Sequence, residues 1–361
     1  MKKIILTVTN DLNYDQRMQR ICNSLTDAGF DVLLVGRKKK NSLPLAKQPF
    51  NQMRLNCLFE KGKLFYLEYN IRLFVFLLFK RLDAVCGIDL DTIIPCLLVS
   101  ILKNKSCIYD AHEYFPELPE VVNRKFTQSV WKWIERVTVP HVNLRYTVSD
   151  GLKEIFEKKY NVPFYVIRNL PVLEDIPAIN KNEKIIIYQG ALNKGRGLEQ
   201  TIEAMQKIDA QFWIAGDGDI AHELRSLVLK YKLGDKVKFL GYVLPHDLKL
   251  ITLQASIGIN VLEHIGESYY NSLPNKVFDY IQACVPSVNI DFPEMKKLNN
   301  EYHVGLLIEE CTTNEISGAI NNLLNNIKLY NELRQNCLSA RLKLNWQNEE
   351  KKLLSIYQTI K

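Results

Sequence analysis

Three glycines and two cations share eight residues at Gly190-Ala191-Leu192-Asn193-Lys194-Gly195-Arg196-Gly197. The run follows residues 184–188, which read as a strand, and precedes residues 198–208, which read as a helix. Glycine lets a backbone pass close to a ligand, and a helix N-terminus points unpaired N–H groups at an anion. Lys194 and Arg196 add positive charge, so a diphosphate could be cradled there. An ordinary strand-to-helix turn with solvated cations has the same spelling, and such loops are common.

A second stretch is Asn271-Ser272-Leu273-Pro274-Asn275-Lys276-Val277-Phe278-Asp279-Tyr280. Pro274 suits the first turn of a helix. Asn275 and Asp279 stand four apart and share a helix face. Asp279 interrupts an apolar run from Val277 to Ala283. A carboxylate in that setting needs a hydrogen-bonding partner, and a ribose diol would supply one. The other reading is a Lys276–Asp279 surface pair, worth only about 0.2–0.5 kcal/mol.

The elements that carry these residues alternate short apolar runs with longer amphipathic ones, the pattern of α/β units around parallel sheets. Residues 4–8, 31–35, 106–110 and 145–148 read as strands. Residues 15–28 read as a helix closed by Gly29, and Ser149 or Asp150 caps another. From 162 to 184 the rhythm fails among Pro163, Pro171 and Pro177, so 169–183 is expected to link two domains. Beyond it, 184–188, 210–215, 236–240 and 256–261 read as strands, with helices at 198–208, 222–232 and 274–283. The expected fold class is α/β, with two tandem Rossmann-like, doubly wound domains at 1–168 and 184–344. A cleft is expected at the carboxyl ends of their strands.

The bulk properties agree. The chain has 361 residues, 47% of them hydrophobic, enough for two cores. Its eight cysteines show neither C-x-x-C nor zinc-ligand spacing, so reduced, buried thiols and no bound metal are expected. The apolar start Ile4-Ile5-Leu6 is broken by Thr7, Thr9 and Asn10, which suits a buried strand better than a leader. No run approaches the ~18 apolar residues of a spanning helix. A cytoplasmic location is therefore expected. Residues 1–168 hold 26 Lys/Arg and 17 Asp/Glu, and residues 169–361 hold 21 and 23. The excess is sharpest from Arg37 to Arg81, where eleven cations meet only Glu60 and Glu68. Such asymmetry suggests a polyanionic partner, either nucleic acid or an anionic membrane. No nucleic-acid recognition motif accompanies the charge. The aromatic residues Phe50, Phe59, Phe65, Tyr66, Tyr69, Phe74, Phe76 and Phe79 lie in the same stretch. They are expected either to insert in part at a membrane surface or to be core.

Taken in order, Tyr188-Gln189-Gly190-Ala191-Leu192, Arg196-Gly197-Leu198-Glu199, Ile214-Ala215-Gly216-Asp217-Gly218, Val237-Lys238-Phe239-Leu240-Gly241 and the 273–286 segment resemble glycosyltransferase family 4. In the first half, Asn10-Asp11, Asp15-Gln16-Arg17 and Asp110-Ala111-His112-Glu113 look like acceptor-domain motifs of one branch. Trp346, Leu353, Leu354 and Tyr357 resemble the closing helix, 345–361, which in that family packs back onto the N-terminal domain. The resemblance runs nearly end to end. It implies the GT-B fold, retention at the anomeric carbon and a nucleotide-sugar donor, a UDP-sugar by family precedent with GDP the other candidate. The acceptor would be a glycan or lipid-linked glycan, as in surface polysaccharide biosynthesis.

The same resemblance implies roles. Arg196 would bind donor phosphate and Asp279, the second acid of an E-x7-E motif, the ribose. His112 would lie near the donor sugar, and Gly241-Tyr242-Val243 would meet the base through backbone. Gly190, Asn271, Ser272, Leu273, Asn275 and Lys276 complete the donor set. Asn10, Asp11, Arg17 and Glu113 would serve the acceptor. Three positions depart from the family: the first acid is Asn271, the partner arginine of the phosphate site is Ala191, and Thr9-Asn10-Asp11 replaces a Gly-Gly loop. Lys276, in the first turn of its helix, is expected to supply the cation missing at Ala191. The catalytic residues are then His112, Arg196 and Lys276.

Breaking a glycosyl–phosphate bond builds negative charge on the leaving diphosphate, and fixed cations aimed at it are a large catalytic term. The leaving phosphate can itself take the acceptor proton, so no strong protein base is required. No metal-ligating cluster of D-x-D type is evident, in keeping with metal-independent chemistry. Competing readings are a nucleotide-sugar 2-epimerase of the same architecture, which needs carboxylates the sequence does not clearly place, and a non-catalytic sugar- or membrane-binding protein. A dehydrogenase is disfavoured because no G-x-G-x-x-G follows the first strand.

Overall fold

The computed structural model describes residues 1–177 and 184–360. The chain divides into two units, Met1–Asn169 with Asn348–Lys361, and Leu170–Gln347.

The first unit is built on a seven-stranded sheet, order β3-β2-β1-β4-β5-β6-β7. Its strands are β1 (Lys3–Thr7), β2 (Asp31–Lys38), β3 (Asn51–Asn56), β4 (Ala84–Ile88), β5 (Ser106–Ala111), β6 (Leu144–Thr147) and β7 (Tyr165–Val166). All pair in parallel. Central strands of such a sheet are covered on both faces, and Ile4, Ile5, Leu6, Val85 and Cys86 are fully buried. Right-handed crossovers put the Gly62–Leu78, Leu90–Lys103 and Lys125–Thr138 helices on one face, where their inner residues share a core. The Gln16–Asp27 helix, started by Asp15 accepting from the Met18 N–H at 3.0 Å, takes the other. The tail completes that face: Glu350 accepts from the Ser24 hydroxyl at 2.7 Å, and the buried Tyr357 and Tyr146 hydroxyls meet at 3.0 Å.

The second unit has a six-stranded parallel sheet, order β10-β9-β8-β11-β12-β13. Its strands are β8 (Ile185–Gln189), β9 (Gln211–Ala215), β10 (Val237–Gly241), β11 (Ile257–Asn260), β12 (Ser287–Ile290) and β13 (Gly305–Ile308). The strand order reverses between β8 and β11, and ligands of such sheets bind outside the strand carboxyl ends at that point.

Part of the expected linker is packed structure. Leu170 is buried against Leu273, Val277 and Phe278. Leu173 exchanges two hydrogen bonds with the Gln347 amide, and Pro171 accepts from the Trp346 N–H at 2.8 Å. Residues 178–183 of that expectation lie outside the described residues. All eight cysteines are free thiols. No described helix is long and apolar enough to cross a membrane.

Candidate functional site

In the second unit, three strand ends are stitched together by backbone alone. Gly190 donates to Ala215 at 3.0 Å, and Gly216 donates to Gly241 at 2.8 Å. Gly216 (φ 150°) lies so close that a Cβ there would stand 1.9 Å from the Gly190 carbonyl oxygen. The 190–197 loop leans on the end of β11: a Cβ on Gly197 would be 2.2 Å from the Val261 carbonyl, and Glu263 donates to the Gly195 carbonyl at 2.9 Å. Glycine at 197 and 216 is thus fixed by close approach. The helix that follows is short, Leu198–Ala204, and ends in a 3₁₀ turn, Met205–Lys207.

Two cations meet over this loop. Arg196 lays its guanidinium 4.6 Å from the centre of the Tyr269 ring. Lys276, buried at the start of the Asn275–Gln282 helix, reaches back to Gly190, its Nζ 3.8 Å from the centre of the Tyr188 ring. Neither Lys276 Nζ nor Arg196 Nε has a hydrogen-bond partner among the described residues. Burial, and then the charge of Arg196, push the Lys276 pKa well below the usual lysine range. The Lys276–Asp279 surface pair does not form. Asp279 instead accepts from Gln189 Nε2 at 2.8 Å, and Gln189 Oε1 lies 2.7 Å from the Thr252 hydroxyl. Chemically, the two cations can receive an anion, and Asp279 stands one helical turn from Lys276 at a half-buried position able to accept from a hydroxyl.

The remaining donor candidates differ in their bonds and exposure. Asn271 donates to the Glu267 carbonyl at 2.9 Å and its carboxylate at 3.0 Å. Ser272 donates to the Tyr269 carbonyl, Leu273 is buried, and Asn275 is exposed. Gly241 (φ 68°) ends β10, Tyr242 after it is 63% exposed, and Val243 is half-buried.

In the first unit, the carboxyl ends of β4 and β5 gather a titratable cluster. Arg17 is buried, with its guanidinium on Asp110 at 3.1 Å and on the Ile167 carbonyl at 3.1 Å. His112 Nε2 lies 2.9 Å from Asp110 Oδ2 and 3.0 Å from Arg17 Nε. A protonated ring donates there to Asp110, and a ring bare at Nε2 accepts from Arg17. Burial opposes the charged imidazole, but Asp110 and Asp89 outweigh it and its pKa rises to about 9. Burial likewise opposes ionisation of Asp110, and Arg17 and His112 outweigh it, so Asp110 is lowered. Asn10 is exposed and donates to Asp15 at 3.1 Å, and Glu113 is exposed. Asp11 is buried, ion-paired to Arg54 and bonded to the Ser42 hydroxyl.

Sequence reasoning missed Asp89 and Asp91. They do spell D-x-D, contrary to the expectation that none was evident, although among the described residues no three His, Cys, Asp or Glu side chains group to hold a metal. Asp89 Oδ1 accepts the His112 backbone N–H at 2.8 Å, and Asp91 accepts from the Thr9 hydroxyl at 2.6 Å. Burial raises Asp89 to about 8 and Asp91 to about 6. The detectable signal was the acid pair itself at the end of the apolar run Ala84–Ile88.

Residues 172–338 match the family model for glycosyl transferases group 1. Alpha-D-kanosaminyltransferase of Streptomyces kanamyceticus is 24% identical over 279 residues, 71% of each chain. Among solved structures, sucrose-phosphate synthase from Thermosynechococcus elongatus has a TM-score of 0.83 at 16% identity, covering 99% of this chain and 98% of that one. Anabaena HepE in complex with UDP and glucose has a TM-score of 0.80 at 13% identity, covering 99% and 100%. WaaG, a glycosyltransferase involved in lipopolysaccharide biosynthesis, has a TM-score of 0.74 at 12% identity, covering 97% and 98%. At these identities the structural likeness speaks for the fold, which is GT-B. None of these relatives is an epimerase.

Proposed function

We propose that this chain is a glycosyltransferase of the group 1, family 4-like kind, built on the GT-B fold, and that it moves a sugar with retention from a nucleotide-sugar onto a glycan or lipid-linked glycan. The observation that carries the donor half is Lys276: a buried amine without a hydrogen-bond partner among the described residues, beside Arg196 on a glycine turn. A diphosphate between Arg196 and Lys276 satisfies both, and a ribose diol donates to Asp279. The UDP present in the Anabaena relative supports a UDP-sugar. Gly241, Tyr242 and Val243 flank the base, and Asn271 with Ser272 and Asn275 lies toward the sugar.

The chemistry follows from charge. As the glycosyl–phosphate bond breaks, negative charge grows on the diphosphate, and Arg196 and Lys276 stabilise it without a metal being required. We assign His112 to the transferred sugar, with Asp110 and Arg17 fixing its ring rather than touching substrate. Asn10 and Glu113, both exposed, are assigned to the acceptor, and Asp11 to holding the loop around them. A role in surface polysaccharide biosynthesis would place the chain on the cytoplasmic face of a membrane.

The test is nucleotide release from a panel of UDP- and GDP-sugars, with thermal stabilisation by each nucleotide read alongside. A ligand at a hundredfold its Kd adds about 2.7 kcal/mol. Slow release without acceptor and fast release with it is expected. Stabilisation without any release leaves only a sugar-nucleotide binder, and neither signal removes the reading.

A further inference from the structure

The Gly62–Leu78 helix is apolar on both sides. Its inner side buries Phe65, Tyr69, Leu73 and Leu77. Its outer side shows Leu64, Leu67, Ile71 and Val75 to solvent, each about half exposed or more, and Phe79 just beyond is 86% exposed. A helix that is apolar all round belongs in a core or against an apolar phase. Of the aromatic rings expected at a surface, Phe50, Phe65 and Tyr69 are core, Tyr66, Phe74 and Phe76 are half-buried, and only Phe59 and Phe79 are exposed. The outward face is therefore mainly aliphatic.

The two neighbouring helices extend it. Leu98, Ile101 and Leu102 are exposed at the end of Leu90–Lys103. On Lys125–Thr138, Phe126, Val130, Trp133 and Val137 follow helical spacing on the exposed side. The helices touch where these stripes run: Lys63 Nζ stands 4.4 Å over the Phe126 ring, Tyr66 meets Trp131 edge-on at 5.5 Å, and Lys103 donates to the Lys80 carbonyl at 2.6 Å. Contiguous exposed apolar surface on this scale marks an interaction site.

Charge selects the occupant. The exposed charged residues on Lys125–Thr138 are Lys125, Arg136 and Lys132, the last ion-paired to Glu117 at 2.8 Å, while Glu135 is fully buried. Glu68 is spent on the Leu58 and Phe59 N–H groups and Arg72. Lys61, Lys63 and Arg81 stand exposed at the ends of Gly62–Leu78. A second copy seated on this face would bring like charges together. An anionic lipid surface takes both the cations and the apolar stripes.

We propose that the outward face of the Gly62–Leu78, Leu90–Lys103 and Lys125–Thr138 helices docks on an anionic membrane surface, lying on it without crossing. This deepens the lipid-linked acceptor of the proposed function, but docking itself does not depend on transfer. The test is co-sedimentation of the full chain with phosphatidylcholine vesicles, with and without phosphatidylglycerol, at low and high salt. Wild type should partition to the anionic vesicles and fall away as salt screens the charge. The Ile71→Glu/Trp133→Glu double variant changes exposed residues only. It should lose about tenfold or more in partition with an unshifted melting temperature. Lys125→Glu/Lys132→Glu should lose the salt-sensitive part.

Equal partition to both vesicle types, or to neither, overturns the proposal. So does a concentration-dependent dimer without vesicles that Ile71→Glu abolishes. Nucleotide release, measured without vesicles, separates this from the proposed function. Release should be unchanged in Ile71→Glu/Trp133→Glu, and a chain that docks yet never releases nucleotide sinks the transferase reading alone.

Discussion

Lys276 sets its Nζ 3.8 Å from the centre of the Tyr188 ring, with no hydrogen-bond partner among the described residues and with the like charge of Arg196 acting on it. A ring face is a weak substitute for a counter-ion, so burial and then the charge of Arg196 disfavour the protonated amine and set its pKa well below the usual lysine range. A diphosphate reverses that balance, because an adjacent anion favours the charged amine. Binding should therefore take up a proton. Calorimetry of nucleoside diphosphate in buffers of different ionisation enthalpy reads it directly, and affinity should fall as pH rises through the window between the free and bound pKa values. Lys276→Met should abolish the uptake and weaken binding by about 1.5–3 kcal/mol, the range for hydrogen bonds to charged groups. Without ligand the sign reverses. The unfolded lysine binds a proton more readily than the folded one, so Lys276 contributes a stability that rises with pH toward the ordinary lysine pKa, read as the difference in slope between wild type and Lys276→Met.

Arg196 stands on the 190–197 loop, its guanidinium over the Tyr269 ring. Arg196→Ala should lower turnover by about 10²–10³, the scale of one lost charge-stabilising donor, with melting temperature little changed. Initial rates at saturating donor decide it, and unchanged rates would remove Arg196 from the chemistry.

Asp279 is tied to Gln189, and Gln189 to Thr252. Such a chain orients a carboxylate toward its remaining acceptor positions. Asp279→Asn should weaken nucleotide binding by roughly 1.5–3 kcal/mol and leave a 2′,3′-dideoxy nucleotide unaffected. Equal loss for both nucleotides would mean that Asp279 acts through folding.

The second half of the chain was legible because glycines mark its strand ends. Gly190, Gly216 and Gly241 close β8, β9 and β10 where the alternation predicts. Between residues 36 and 105 the pattern is silent. The Gly62–Leu78 helix is apolar on both sides and shows no period, and Leu90–Lys103 carries Pro95 inside it, a breaker signal that tertiary packing overrides. Lys276 and Asp279 at i and i+3 spell a surface pair. Instead the lysine is covered by Tyr188 from β8, and that is a long-range contact. Asp89 was hidden for the same reason: its link to His112 depends on the pairing of Ile88 with Asp110 across β4 and β5.

That Asp89–His112 link gives the last prediction. Asp89 holds φ 54° and ψ −177°, a region disfavoured for any residue with a Cβ, while accepting the His112 N–H at 2.8 Å. Such a conformation costs on the order of 1–3 kcal/mol and persists only where its surroundings demand it. Asp89→Gly should thus recover stability while loosening His112, seen as a higher melting temperature with lower turnover. The pH dependence fixes the sign. His112 is raised from 6.5 to about 9, so its contribution is full below 6.5 and lost as pH climbs through about 9. Asp89 is raised from 3.8 to about 8, so the folded chain holds a proton there that the unfolded chain has released, and stability falls over that window too. His112 and Asp89 together contribute a loss of melting temperature from neutral to pH 9.5, opposite in sign to the contribution of Lys276, and relative to wild type His112→Gln and Asp89→Asn should each remove part of it. Asp89→Asn keeps the acceptor for the His112 N–H and should retain most activity, which Asp89→Gly should not. Parallel loss in both variants would mean that the charge of Asp89, rather than its grip on His112, matters to catalysis.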